Sequence, residues 1–260
     1  MSRIDEMILA LEAESPQLAR NFPSLEELYV GWWSGNNPLP TIPSDQIDYF
    51  PEHKLRYLSI VDGSAIASSG PYSFRIDAGD YFHGGEGSVV LKRRARWETQ
   101  YFAWYNSQWP QNEQANFTPI RMYLPGEPNS TAFITAFNLA IQNLLSENLW
   151  FSAKVRLSPG SFHDAAIVWT ALSSMEVVSR IFSEVPTSGI TIPSFSLPYR
   201  NAGLTPHPNT GESFGMLISQ AILSSVWTGG GGLRRKIDKD EPLLEQMEII
   251  RKVIERGGNA

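Results

Sequence analysis

Along the first twenty residues Ile4, Ile8, Leu11 and Leu18 recur at helical spacing among acidic and polar positions, so an amphipathic helix opens the chain. A short helix over PSLEELYVGWW is expected next, between loops rich in Pro, Gly and Asn that run from residue 21 to 50. From His53 to Trp97 the runs KLRYLSIV, YSFRIDA and GSVVLKRR have strand character, and the Gly and Ser clusters between them read as turns of an antiparallel meander. Residues 98 to 117 are aromatic and polar with no clear period, which leaves helix and loop both open.

The pattern sharpens from Pro119. In IRMYL, Ile120, Met122 and Leu124 alternate with Arg121 and Tyr123, as on a half-buried strand. After the turn residues PGEPNS, Phe133, Ile134, Phe137, Ile141, Leu144 and Leu145 predict a helix capped by Asn129 or Ser130. WFSAKVRL alternates again, with Leu149, Phe151, Ala153 and Val155 set against Trp150, Ser152, Lys154 and Arg156. A turn over SPGSFHD, an apolar strand AAIVW and a helix around SMEVVSRIF follow. A proline-rich connection spans residues 186 to 208. It leads into NTGESFG, where Asn209 and Glu212 have capping-box spacing and mark the start of a second long helix.

Gly229 to Gly232 read as a flexible hinge before a charged terminal helix with a stripe of Leu243, Leu244, Met247, Ile250 and Ile254. That stripe must be buried against its own domain or against another chain, which leaves self-association open. The expected fold class is α+β: a mixed, largely antiparallel sheet with helices covering one face. The expected division is a single domain over 1–228, with helix and meander in 1–118 and a core unit in 119–228, followed by hinge and helix in 229–260.

Composition narrows the function classes. A chain of 260 residues, 42% hydrophobic and 18% charged, can bury a large core. A formal charge of -6 gives no general attraction to nucleic acid, and the absence of cysteine removes disulfides, thiolate nucleophiles and cysteine-held metals. No window approaches the ~18–20 apolar residues of a membrane span. Acids interrupt the N-terminus, unlike a secretory signal, so a cytoplasmic protein is expected. His53, His83, His163 and His207 lack metal-ligand spacing, and no metal or other cofactor is expected. His163, beside Asp164 in the turn after the lysine strand, is the one histidine kept as a proton-transfer candidate.

If IRMYL and WFSAKVRL lie near each other in one sheet, Arg121, Tyr123, Lys154 and Arg156 share a face. Three cations and a phenol there suit an anion such as phosphate, and neighbouring positive charge would lower the pKa of Lys154 toward that of a general base. A solvated sheet face carrying the same residues is the plainer alternative. The helix start at Gly211 to Ser213 is either a simple cap or a cap that also binds an anion.

On RMYL, the following helix, WFSAKV, HDAAIVW and TPHPNTGESFG, the chain resembles the HopA-type family over about residues 119 to 220. That family includes a type III secretion effector of plant pathogens and the lyase components of class V lanthipeptide and thioamitide biosynthesis, and it is distantly similar to phosphothreonine lyases. The resemblance implies a lyase that eliminates phosphate from phosphoserine or phosphothreonine in a ribosomal precursor peptide. By position, Lys154 matches the base and Arg121 a phosphate-binding cation. Tyr123 stands where the phosphothreonine lyases carry their acid histidine, and a phenol of pKa ~10 keeps a proton to donate. Family members often have an arginine shortly after GESFG; here Met216, Leu217 and Ile218 follow, so that contact is missing or supplied by Arg156 or Arg200.

The phosphate would come from a separate kinase-like phosphotransferase, since no kinase-type glycine-rich loop is present. Two further readings stand beside this one: a secreted effector acting on host phosphoproteins, and a non-catalytic binding module of the same fold. Lys154 is expected to be exposed on its polar face.

Overall fold

The computed structural model describes residues 2–35, 54–69, 72–92, 95–98, 102–106, 118–147, 149–208, 212–228, 232–239 and 242–257. Helix α1 (Arg3–Asn21) begins with a capping box in which the Ser2 hydroxyl accepts from the Asp5 N–H and the Asp5 carboxylate accepts from the Ser2 N–H. It buries Ile4, Ile8 and Leu11, while Leu18 is only partly covered. Helix α2 (Leu25–Leu28) runs directly into a π-helical turn, Tyr29–Trp33, closed by the Ser34 N–H donating to the Tyr29 carbonyl. The turn buries Tyr29, Trp32 and Trp33.

Among the described residues twelve strands follow: β1 (Lys54–Val61), β2 (Ser64–Ser69), β3 (Tyr72–Ile76), β4 (Tyr81–His83), β5 (Ser88–Leu91), β6 (Ala95–Glu98), β7 (Phe102–Asn106), β8 (Pro119–Gly126), β9 (Phe151–Arg156), β10 (Phe162–Ala171), β11 (Leu197–Tyr199) and β12 (Ala202–Pro206). They form one sheet in the order β11-β12-β8-β10-β9-β7-β6-β3-β2-β1-β5-β4, and every pair is antiparallel. The helices of the second half are α3 (Thr131–Ser146), α4 (Met175–Phe182), α5 (Phe214–Thr228), α6 (Leu233–Ile237) and α7 (Leu243–Gly257). The class is α+β with an antiparallel sheet and helical layers.

Helix α3 starts at Ser130, whose hydroxyl accepts from the Phe133 N–H at 3.2 Å. It lies over the sheet face that carries Met122, Val168, Ala153 and Tyr105, which oppose one another across four strands. Tyr105 meets the Phe137 ring at 5.7 Å and donates its hydroxyl to Asn138 Oδ1 at 3.0 Å. Phe137 in turn meets Phe182 of α4 at 5.5 Å. Each such buried aromatic or aliphatic side chain contributes about 1.5–3 kcal/mol. Helices therefore cover this face as expected, and over β8, β10 and β9 the opposite face carries helical cover as well.

Several segments depart from the sequence expectation. The aromatic stretch after residue 98 contains strand β7, where helix or loop was expected; residues 107 to 117 lie outside the described residues. Strand β2 (SAIASS) hid among small residues read as a turn, yet Ala65 and Ala67 are wholly buried, where the short side chain fits a closely packed face. The first strands do not form a simple meander: β3 pairs with β6, while β5 returns to the outer edge of β1.

His163 and Asp164 lie within β10, not in a turn. The proline-rich connection contains the β11–β12 hairpin, pinned by the Asn201 side-chain amide donating to the Phe182 and Val185 carbonyls at 2.9 and 3.0 Å. Helix α5 starts not at the capping-box spacing but at Phe214, with the Ser213 hydroxyl accepting from the Met216 N–H at 3.1 Å. Asn209 lies outside the described residues, as do Gly229, Gly230 and Gly231. Gly232 leads into α6, whose Leu233 N–H donates to the Glu12 carboxylate at 2.9 Å. The terminal stripe packs on its own chain: Leu243, Leu244, Met247 and Ile250 are buried, and α7 contacts β12, β11, α1 and α6.

Candidate functional site

Strands β8 and β9 are not neighbours; both flank β10. Ile167 stands opposite Tyr123 on one side and Lys154 on the other, and Trp169 stands opposite Arg121 and Ser152. Directly opposed residues share a sheet face, so these six side chains form two rows on one surface. Strand spacing and rise put the outer members of each row about 9.5 Å apart and the two rows about 7 Å apart at the backbone. The site has four polar corners, Tyr123, Lys154, Ser152 and Arg121, around a floor of Ile167 and Trp169.

Trp169 is an aromatic partner of both buried cations. Its ring centroid lies 5.5 Å from Lys154 Nζ and 5.7 Å from Arg121 Cζ, both within the ~6 Å reach of a cation–π contact. The indole gives each charge a favourable aromatic partner.

The surface is not the solvated face that was the plainer alternative. Lys154 is 2% exposed and Arg121 1%, and the expectation of an exposed Lys154 is corrected. The cause is the cover. Trp33 of the π-helical turn meets Tyr123 edge-on at 5.4 Å and Phe214 of α5 at 5.9 Å. A β-carbon at Gly215 would fall 2.4 Å from the Trp33 indole, so this approach of α5 to the turn requires glycine.

Arg121 is fixed by its surroundings. Its Nε donates to His207 Nδ1 at 3.0 Å, and its Nη2 donates to the main-chain carbonyl of Glu212 at 3.0 Å. Strand β12 makes this possible, because Thr205 pairs with Arg121 and His207 follows directly after the strand. His207 lacks metal-ligand spacing and is not among the site residues expected from the sequence. The signal available was its place in TPHPNTGESFG, the stretch that folds back onto Arg121. Of the expected anion site at the helix start, Ser213 uses its hydroxyl as the α5 cap, and Gly211 lies outside the described residues.

Arg156 shares the face of Lys154 and belongs to a separate cluster. Its Nη2 reaches both oxygens of Asp164 at 2.9 Å, and its ring-side neighbour is Phe162, 4.5 Å from Cζ to centroid. The Ser34 hydroxyl donates to Asp164 Oδ2 at 3.0 Å and accepts from Arg156 Nη2 at 3.1 Å. This cluster ties the end of the π-helical turn to β9 and β10, and so holds Trp33 over Tyr123. His163 adds to the tie, its main-chain N–H donating to the Ser34 carbonyl at 2.8 Å. The His163 pKa is lowered by burial, opposed by the Asp164 charge and a main-chain hydrogen bond with Trp33. A β-carbon at Gly35, whose φ is +72°, would fall 2.5 Å from the His163 ring.

Arg200 is elsewhere. It sits exposed at the tip of the β11–β12 hairpin with φ 54°, its guanidinium 5.6 Å from the Tyr199 ring, at the end of β12 remote from Arg121.

No protein-family model matches this sequence, and no curated protein matches it. Among solved structures the chain is similar to the effector protein from Pseudomonas syringae pv. syringae strain 61. The two are 13% identical, the match covers 89% of this chain and 91% of that one, and the TM-score is 0.45. Among the described residues no helix is long and apolar enough to cross a membrane, and no group of three or more His, Asp and Glu could hold a metal ion.

Proposed function

We propose that this chain is a lyase that removes phosphate from phosphoserine or phosphothreonine in a peptide and leaves dehydroalanine or dehydrobutyrine. The observation that carries the reading is the placement of Lys154 and Tyr123 on either side of Ile167, one strand step from Arg121 and Trp169. An amine, a phenol and a guanidinium around an apolar floor can serve as the base, the acid and the anion partner of a β-elimination.

Lys154 Nζ, once it has given up its own proton to solvent, takes the α-proton. The C–H electron pair becomes the Cα=Cβ bond, the Cβ–O bond breaks, and phosphate departs with the oxygen. Tyr123 donates its phenolic proton to that oxygen as charge develops, and Arg121 carries the phosphate negative charge. The Arg121 hydrogen bonds to His207 and Glu212 hold the guanidinium in place before the substrate arrives, which reduces reorganisation during the reaction. The closed face calls for the cover formed by Trp33 and Phe214 to move as the peptide binds, and its return would keep bulk water from the carbanion-like centre.

The substrate on this reading is a ribosomally made precursor peptide in the cytoplasm, phosphorylated beforehand by a separate kinase-like phosphotransferase. Incubation of the protein with phosphoserine and phosphothreonine peptides tests it, with loss of phosphoric acid read by mass spectrometry. Lys154→Met keeps the buried volume and removes the amine, so elimination should vanish in a folded variant. Wild type that binds the phosphopeptide without ever converting it would overturn the lyase reading in favour of a binding module. Conversion of folded host phosphoproteins, with no conversion of flexible peptides, would favour the effector reading.

A further inference from the structure

Ser152 is the corner that neither the acid–base pair nor Arg121 accounts for. It lies opposite Trp169 on β10 and Asn106 on β7, two residues from Lys154 on the same face. It is 4% exposed, and its Oγ meets no hydrogen-bond partner among the described residues. A buried hydroxyl left unsatisfied is costly, and such groups are uncommon in folded chains.

The other buried serines without partners differ. Ser179 and Ser219 lie inside α4 and α5, where a rotating hydroxyl has the carbonyl of the preceding turn within reach. Ser152 stands instead on a strand paired on both sides, whose main-chain groups serve the ladders to β7 and β10.

We propose that the Ser152 hydroxyl is a phosphate-binding donor, and that the Arg121–Trp169–Ser152 row is where the phosphoryl group of the substrate rests. The proposal deepens the lyase reading and rests on it for the identity of the substrate. Arg121 and Ser152 flank Trp169, and the indole surface between them fills the floor under a tetrahedral anion. The phosphoryl group in this row puts the amino-acid backbone in the adjacent row, where Lys154 reaches the α-carbon and Tyr123 reaches the bridging oxygen. The site thereby separates anion binding from proton transfer by one two-residue step along the strands. Ser152 touches substrate in this scheme but takes no proton from it.

Ser152→Ala tests the assignment with three readouts. Thermal unfolding without ligand should show a midpoint equal to or above wild type, because the change deletes a buried unsatisfied hydroxyl. Inorganic phosphate, titrated calorimetrically, should bind about tenfold more weakly or worse, the loss of one hydrogen bond to a charged group. On a phosphoserine peptide KM should rise with kcat changed far less, and the unphosphorylated peptide should bind wild type and variant alike.

Unchanged phosphate affinity and unchanged KM in the folded variant would overturn the role of Ser152 while leaving the lyase reading in place. Phosphate binding that depends on Ser152 in a protein that converts no phosphopeptide would remove the lyase reading and keep the anion site. Wild type that binds no phosphate at all overturns the proposal outright.

Discussion

Arg121 Nε donates to His207 Nδ1 across the end of β12, and an accepting Nδ1 requires the neutral imidazole with its proton on Nε2. The histidine thus sets the rotamer of the arginine without adding a second charge beside it. His207→Leu should remove one of the bonds that orient Arg121, raising KM for a phosphopeptide about tenfold and lowering kcat less. Steady-state kinetics at fixed pH decide it. Unchanged KM would mean that the Glu212 carbonyl and Trp169 suffice to hold the guanidinium.

Asp164 and Arg156 form a buried pair whose carboxylate also accepts from Ser34, so one side chain joins β9, β10 and the π-helical turn. Removing one partner leaves the other charge buried without compensation, and such changes cost about 3–5 kcal/mol. Asp164→Ala should therefore lower the urea midpoint sharply. The double replacement Arg156→Met with Asp164→Leu should recover much of the loss, since both charges are then gone. A double variant as unstable as the single one would show that the tie to Ser34, not the ion pair, carries the stability.

His163 gives a pH dependence with a defined sign. Burial holds its folded-state pKa below the ordinary imidazole value of 6.5, with Asp164 and the Trp33 main chain opposing the shift. The unfolded chain therefore binds the proton first as pH falls through 6.5, and over that window stability rises with pH. Unfolding midpoints measured from pH 7.5 to 5 should fall on acidification, and His163→Gln should flatten that part of the curve. A slope that survives the substitution belongs to another group.

The alternation in IRMYL and WFSAKVRL put Arg121 with Tyr123, and Lys154 with Arg156, on one side of each strand, because a period of two is a local property; that the two sides form one sheet face had to be assumed. What alternation could not convey was the strand between them. The run AAIVW is apolar at every position, so nothing in it marks Ile167 and Trp169 as the side chains that face the site. The cover was equally hidden. Trp33 and Gly215 are separated by most of the chain, and neither their approach nor the bond from Ser34 to Asp164 beside it is encoded in a local pattern. Prolines disguised β12, and with it the link from Arg121 to His207; Pro206 sits at the strand's last position, where its missing N–H interrupts little of the ladder. The amphipathic stripe of α7 was plain in the sequence, but not the surface that it covers.

That surface is the protein's own. Leu243, Leu244, Met247 and Ile250 are buried, and α7 packs against the β11–β12 hairpin that carries His207 at its end, against α1 and against α6. Four large apolar side chains at about 1.5–3 kcal/mol each represent most of a typical stability margin of about 5–15 kcal/mol. Truncation after residue 240 should therefore abolish cooperative folding, not release a soluble domain, and the soluble fraction after expression together with a thermal melt would show it. Because α7 also backs β12, a milder lesion such as Met247→Ala should lower the melting midpoint and, on the lyase reading, raise KM through the displaced His207. A truncated chain that stays folded, monodisperse and active would instead mean that the hairpin is held by Asn201 and β8 alone, and that the stripe is available to a partner.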